Sequence, residues 1–160
     1  MTTDTLITSD LIKLIGAQQD VSIYRVEEGS IIRYAQAIDD RNPLFNDPEY
    51  AKNSLYGRII CPPGFFGWAM KSDDLPAFKI MDKMLEAGAP KGILDGGVDY
   101  DFHIPVGAGD VLTSVMTITG IVERDTKMGK TMVTTVVTRY INQNGDLVCQ
   151  ATQTYMNFKV

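Results

Sequence analysis

Residues 111–158 read VLTSVMTITGIVERDTKMGKTMVTTVVTRYINQNGDLVCQATQTYMNF, and this stretch decides the fold. It contains three threonine- and valine-rich runs bounded by turn-forming residues, at 111–124, 130–142 and 146–158, and a fourth run of this kind precedes it at 92–105. Asn144-Gly145 is the strongest short-range signal for a β-hairpin. Successive hairpins without a helical spacer predict an antiparallel meander, and runs of this length favour a twisted, curved sheet.

The residues that precede this sheet have helical spacing instead. Ser30 is a suitable N-cap for a short helix, and Asp47, followed by proline, is a suitable N-cap for a second one. Segment 64–70, GFFGWAM, is apolar on all sides and predicts a buried helix, whereas 78–87 predicts an amphipathic one. A curved sheet with one wholly apolar helix suggests that the sheet wraps around the helix. We therefore predict a single α+β domain over residues 1–160.

The composition excludes several classes of partner. With 160 residues, 44% hydrophobic and 22% charged, the chain has the composition of a soluble globular domain. Its net charge of −5 disfavours nucleic acid or an anionic membrane as a partner. Residues 1–16 include acidic residues and no long apolar run, so we expect neither a signal nor a transit peptide there. No apolar run is long enough to span a membrane, and we expect a cytoplasmic protein.

A single histidine, His103, limits the chemistry further. It cannot form a histidine-rich zinc site alone, and the chain has no HExxH or C-x-x-C motif, so we expect no metal. Any Ser–His–Asp or Cys–His nucleophile would have to be built around this one side chain.

Residues 34–51, YAQAIDDRNPLFNDPEYA, carry a family resemblance. They resemble the "hydratase 2" motif of MaoC-like hot-dog dehydratases, in which an aromatic residue precedes Asp-x-Asn-Pro-Leu-His and a small residue follows. The positions in register are Tyr34, Asp40, Asn42, Pro43, Leu44 and Ala51. Residues 57–66 resemble the start of that family's central helix, and residues 105–110, PVGAGD, resemble its "rPvxxGD" turn. Over nearly the whole chain, the type most resembled is the FAS1-like N-terminal dehydratase domain.

The resemblance implies a hot-dog fold, a curved antiparallel sheet wrapped around a long central buried helix. It implies a hydro-lyase of fatty acid or related acyl metabolism, which hydrates trans-2-enoyl thioesters or dehydrates (R)-3-hydroxyacyl thioesters. The substrate would be an acyl-CoA or acyl-carrier-protein thioester, with CoA or phosphopantetheine as its carrier and no separate cofactor. The partner would be a second hot-dog subunit, in a homodimer or a heteromer. Five cations could meet the carrier's phosphates, but none is assigned this role: Arg58, Lys91, Arg124, Lys127 and Lys130.

The family's site residues carry over only in part. In the family, the motif Asp and His hold the water, and a backbone N–H at the start of the central helix binds the thioester oxygen. Asp40 matches the motif Asp, Asn42 its supporting Asn, and Gly64 the backbone donor. Phe45 stands in the histidine position, and a phenyl ring can neither accept nor donate a proton.

The remaining candidates belong to the acyl pocket. Phe65 and Trp68, beside Gly64, are expected to bind the substrate together with Gly64 and Phe45. Packing in the core would explain the same aromatic residues equally well.

Three explanations of the missing histidine remain open. A partner subunit could supply the Asp and His, or His103 could reach the site from its strand. In the third explanation, Asp40 acts alone or the chain is a relic with only a binding role. Asp40 and Asn42 could also be simple turn residues, and His103 an ordinary surface residue. Thioester hydrolysis is disfavoured because residues 64–70 carry no carboxylate.

Overall fold

A five-stranded antiparallel sheet forms the body of the protein in the computed structural model, which describes residues 5–66 and 76–160. The strands are β1 Gln18–Arg25, β2 Gly92–Phe102, β3 Val111–Thr126, β4 Gly129–Ile141 and β5 Leu147–Phe158. Their order across the sheet is β1-β3-β4-β5-β2. The predicted α+β class is confirmed.

The meander prediction holds for only three of the strands. Strands β3, β4 and β5 are joined by consecutive hairpins, but β2 pairs with β5 and not with β3. The residues between β2 and β3 are therefore a crossing connection rather than a hairpin turn. Strand β1, which pairs with β3, was not predicted. Its signal is weak because its aliphatic residues Val21 and Ile23 are exposed, by 47% and 72%, while the polar Gln19 is buried.

The Asn144-Gly145 turn forms as predicted between β4 and β5. Gly145 has a φ of +88°, a left-handed conformation that favours glycine, and its N–H donates to the Asn142 carbonyl at 3.0 Å. The Asn142 N–H donates to the Asp146 carbonyl at 2.9 Å and closes the hairpin.

The helices are short. They are α1 Ser9–Lys13, α2 Glu28–Ala37, α3 Pro43–Asn46, α4 Pro48–Lys52, a single 3-10 turn at Pro63–Phe65, and α5 Pro76–Glu86. The prediction of Ser30 as an N-cap is wrong, because the N-cap of α2 is Glu27, three residues earlier. The Ser30 hydroxyl instead accepts from the Arg33 guanidinium at 3.0 Å. Asp47 does cap α4, accepting from the N–H groups of Glu49 and Tyr50 at 3.0 Å each.

The predicted buried helix at 64–70 is only partly described. Residues 63–65 form the 3-10 turn, Gly64 is exposed, and residues 67–75, with Trp68, lie outside the described residues. Helix α5 begins at Pro76, two residues before the predicted 78, and buries Ile80 and Met84 against the sheet. None of the helices in the described part of the chain has both the length and the apolar composition to cross a membrane.

Two groups of side chains fill the same face of the sheet. The motif-side cluster contains, among others, Ile31, Ala35, Phe45, Phe65, Phe66, Tyr140 and Cys149. The helix-side cluster contains, among others, Leu11, Ile80, Met84, Ile118, Met132, Val136 and Tyr155. Alternate residues of β3, β4 and β5 point into these clusters, as a sheet with one buried face requires. The motif-side cluster is the one that positions the candidate site.

Candidate functional site

Helix α2 ends in a turn that fixes the start of the motif loop. Asp39 has a φ of +52°, a left-handed backbone conformation that residues other than glycine adopt rarely. Its N–H donates to the Gln36 carbonyl at 3.2 Å, and the Asp40 N–H donates to the Ala35 carbonyl at 2.9 Å. This pair of bonds is a Schellman motif, which satisfies the last carbonyls of the helix and sets the position of Asp40.

Asp40 and Asn42 lie together in the loop that follows. One Asp40 carboxylate oxygen accepts from the Asn42 N–H at 3.0 Å, and the Asn42 side-chain oxygen accepts from the Leu44 N–H at 3.0 Å. The Asn46 amide donates to the Asp40 carbonyl at 2.7 Å and to the Asn42 carbonyl at 3.0 Å. These are the turn interactions that the sequence left open as an alternative. The second Asp40 carboxylate oxygen accepts no hydrogen bond from any described residue.

Phe45, in the histidine position of the motif, belongs to the core. Its side chain is 9% exposed and packs in the motif-side cluster, which also contains Phe65. Helix α3, capped by Asn42, holds it there. At this position the loop therefore supplies packing and no proton-transfer group.

Gly64 and Phe65 meet helix α2 at Tyr34. The ring of Phe65, 1% exposed, contacts the Tyr34 ring edge-on, with centroids 5.8 Å apart and planes at 88°. A Cβ built on Gly64 would overlap the Tyr34 hydroxyl and would lie 3.3 Å from Tyr34 Cζ. The structure thus joins the motif helix to the turn at residues 63–65, whereas the sequence identified Tyr34 only as a position of the motif.

His103 lines a cavity to which the motif loop contributes no residue. A cavity of about 340 Å³ is lined by Cys61, Pro63, Phe66, Phe102, His103, Ile104, Pro105 and Val106. The His103 side chain is exposed, and its backbone N–H donates to the Val148 carbonyl at 2.9 Å. Neither Asp40 nor Asn42 is among the lining residues. The structure therefore brings His103 into one cavity with Pro63 and Phe66, the residues that flank Gly64 and Phe65 in the sequence. It does not bring His103 into one cavity with Asp40.

Phe66 and Phe102, which line this cavity, belong to an aromatic cluster that was not predicted from the sequence. Phe66 lies 5.7 Å from Phe102 and 5.2 Å from Tyr140, measured between ring centroids. Tyr100 stacks on Phe102 at 5.6 Å, and its hydroxyl donates to the Phe66 carbonyl at 3.0 Å. Burial raises the pKa of the Tyr100 hydroxyl, so it remains a donor near neutral pH. The available signal was the alternation of Val98, Tyr100 and Phe102 along β2.

An ion pair ties together the two stretches that extended the resemblance beyond the motif. Arg58 donates to both carboxylate oxygens of Asp110, at 2.8 and 2.7 Å. The Gly107 N–H and the Gln143 amide donate to the same carboxylate, at 3.0 and 3.2 Å. Burial alone would raise the pKa of Asp110, but the hydrogen bonds from Arg58, Gly107 and Gln143 outweigh it and lower that pKa. Because Arg58 is held by Asp110, it is a poor candidate for binding a carrier phosphate.

Burial disfavours the reactive thiolate form of Cys61 at the cavity wall. Burial, followed by the nearby Asp110 charge, raises the pKa of Cys61 to about 12, so the thiol stays protonated at neutral pH. Burial likewise raises the pKa of Cys149 to about 12. Within residues 5–66 and 76–160, no three histidine, cysteine or carboxylate side chains are grouped as a metal site.

Comparison with known proteins agrees with this architecture. The family described as "FAS1-like, dehydratase domain region" matches residues 13–151. A UPF0336 protein of Saccharopolyspora erythraea is 33% identical over 135 residues, which are 82% of this chain and 80% of that protein.

Solved structures show the same fold. The ChsH1-ChsH2 complex from Mycobacterium tuberculosis has a chain that superimposes with a TM-score of 0.72 at 20% identity, covering 89% of this chain and 85% of that one. The MaoC-like dehydratase from Rhodospirillum rubrum superimposes with a TM-score of 0.61 at 25% identity, covering 91% and 93%. The predicted hot-dog fold is thereby confirmed. With the family match spanning most of its length, the chain belongs to the FAS1-like dehydratase domain family.

Proposed function

We propose that this chain is one subunit of an enoyl-thioester hydratase/dehydratase and that a second hot-dog subunit supplies the Asp–His pair. The observation that carries the proposal is the state of the motif loop. Asp40 and Asn42 keep the turn of the motif, while Phe45 fills the histidine position and packs into the core. A subunit with this loop keeps the hot-dog scaffold but lacks half of the acid/base pair that moves the protons of water.

The reaction would add water across the double bond of a trans-2-enoyl thioester, or reverse that addition from an (R)-3-hydroxyacyl thioester. A base takes a proton from water, the oxygen attacks C3, and an acid protonates C2. Negative charge develops on the thioester oxygen on the way, so a fixed hydrogen-bond donor at that oxygen lowers the barrier. Gly64 is the candidate donor in this chain, because its backbone N–H donates to no other described residue.

The acyl group would be carried on CoA or on the phosphopantetheine of an acyl carrier protein. Phe45, Phe65 and, by the family resemblance, Trp68 would form the apolar wall of its pocket. Phe45 and Phe65 are both buried in the motif-side cluster, so they would shape the pocket from behind.

The edge of the sheet supports the presence of a partner. Strand β2 lies at one end of the strand order and pairs on one side only among the described strands. Val98, Phe102 and Ile104, on or just after it, are 39%, 48% and 41% exposed. A second hot-dog subunit, identical or different, would cover these apolar side chains and place its own residues near the cavity beside His103. The ChsH1-ChsH2 complex offers a structural precedent for two different components.

A test of this proposal compares the chain alone with the chain co-purified with its partner. Hydration of a short enoyl-CoA, followed by loss of the enoyl absorbance, should be negligible for the chain alone and robust for the assembly. Asp40→Asn in this chain should leave the activity of the assembly largely unchanged. Inactivity in both settings would contradict the proposal and leave only a binding role.

A second candidate, a hydratase complete in one chain, is favoured by the position of His103 at the cavity beside Pro63 and Phe66. It predicts activity of the purified chain alone, abolished by His103→Ala and by Asp40→Asn. That result would replace the first proposal.

A further inference from the structure

We propose that the Tyr34 hydroxyl is a second hydrogen-bond donor to the thioester carbonyl oxygen of the substrate, beside the backbone N–H of Gly64. The inference rests on the proposed function, since it concerns how the same thioester is held. The Tyr34 hydroxyl would contact the substrate as a hydrogen-bond donor, and it would act neither as the acid nor as the base of the reaction.

The position of the hydroxyl is fixed from two sides. Helix α2 carries Tyr34, and Phe65 packs edge-on against its ring at 5.8 Å. The hydroxyl lies where a side chain on residue 64 would begin, because a Cβ there would overlap it. Glycine at position 64 therefore lets the phenol approach the backbone of the turn at residues 63–65.

The hydroxyl of Tyr34 differs from that of Tyr100 in its hydrogen bonding to the described residues. It forms no hydrogen bond with any residue in the described ranges, whereas the Tyr100 hydroxyl is bonded to the Phe66 carbonyl at 3.0 Å. Two buried side-chain oxygens of the described residues lack a partner, those of Thr134 and Asn157, and the Tyr34 hydroxyl is not one of them. The Tyr34 side chain as a whole is half-buried.

The Tyr34 hydroxyl and the Gly64 N–H are two hydrogen-bond donors that lie side by side. The Gly64 N–H donates to no other described residue, and the Tyr34 hydroxyl lies beside the same residue. A thioester oxygen that gains negative charge is stabilised most by two preorganised donors in a site shielded from water. Both donors keep their protons throughout, so the proposal adds no proton-transfer step to the reaction.

The test uses Tyr34→Phe in the active assembly, with Tyr50→Phe as the matched control because Tyr50 is 53% exposed on α4. Loss of one donor to an oxyanion costs about 10²-fold in kcat, which is the decrease expected for Tyr34→Phe. Tyr50→Phe should leave kcat unchanged. Equal thermal melting curves would establish that both variants are folded.

A binding measurement separates this inference from the proposed reaction. Butyryl-CoA labelled with ¹³C at the carbonyl is saturated and cannot be hydrated, and hydrogen bonding moves its bound carbonyl resonance downfield. Tyr34→Phe should return that resonance toward the value of free ligand, and Tyr50→Phe should not. An unchanged resonance with normal kcat, or no binding of butyryl-CoA to the wild-type assembly, would overturn the inference. A Tyr34-dependent shift in an assembly without hydratase activity would support the inference and contradict the proposed reaction.

Discussion

The motif loop and the cavity beside His103 use polar groups in opposite ways. In the loop, Asp40, Asn42 and Asn46 bond to backbone groups within a few residues of themselves. At the cavity, the exposed His103 side chain faces walls made mainly of aromatic and aliphatic residues. The motif residues that survive here therefore have a structural role that does not depend on catalysis. Each of these three side chains forms a hydrogen bond within the loop, while the second Asp40 carboxylate oxygen accepts none from the described residues.

The ion pair between Arg58 and Asp110, which joins the two stretches that contribute Cys61 and Val106 to the cavity, should give a large effect on mutation. Asp110→Asn removes the charge that holds Arg58 and weakens the contacts from Gly107 and Gln143. We expect the free energy of unfolding to fall by about 2 kcal/mol, measured by urea denaturation, because the buried Asp110 carboxylate accepts charge-assisted hydrogen bonds, although the Arg58 side chain is partly exposed. Arg41→Ala is the control, since the Arg41–Asp39 pair is fully on the surface and should have no measurable effect.

The Asp110 carboxylate should also make the free energy of unfolding decrease in acid. The pKa of Asp110 in the folded chain lies below its value in the unfolded chain, so its contribution is complete above the unfolded pKa. It is lost as pH falls through the folded pKa, because the unfolded chain then binds the proton more readily. The wild type should therefore lose more stability than Asp110→Asn between neutral pH and the acid range. Parallel pH profiles for the two proteins would contradict this assignment.

Restoring the motif histidine tests whether the loop has become purely structural. Phe45→His puts an imidazole into the motif-side cluster, and we expect a loss of about 2 kcal/mol because a buried polar ring lacks partners there. Phe45→Leu, the apolar control, should cost about 1 kcal/mol.

The loss in Phe45→His should also grow as pH falls below about 6.5, because burial opposes the charged imidazole in the folded state. Unfolding by urea at two pH values measures this. A variant as stable as the wild type that gains hydratase activity alone would show that the loop lacks only this one side chain.

The smallest effect is expected at the end of helix α2. Asp39→Gly relieves a left-handed backbone position and should stabilise the chain by about 0.5 kcal/mol, seen as a rise in Tm. The activity of the assembly should not change, because Asp39 shapes the turn before Asp40 but has no proposed contact with substrate. A loss of stability would indicate that the exposed Asp39–Arg41 pair outweighs the backbone strain.

The sequence predictions were correct mainly where a feature depends on residues close together in the chain, and wrong or missing mainly where it depends on residues far apart. The turn at Asn144-Gly145 and the Asp47 cap were predicted correctly, since both depend on bonds between residues up to four apart. Strand β1 and the placement of β2 beside β5 were missed, because pairing partners are chosen by the whole sheet. The start of α2 was misplaced because Ser30 is also compatible with a position inside a helix.

By itself, the sequence determined the α+β class, the hairpins of β3 to β5, the family motif and the absence of a histidine at position 45. Only the tertiary structure decided that Phe45 packs in the motif-side cluster, that His103 shares a cavity with Pro63 and Phe66, and that Tyr34 lies over Gly64. The physical reason is the range of the interactions. Turns and caps are fixed by neighbouring residues, whereas a cavity or a donor pair is made by segments that are distant in the chain and meet only when the core packs.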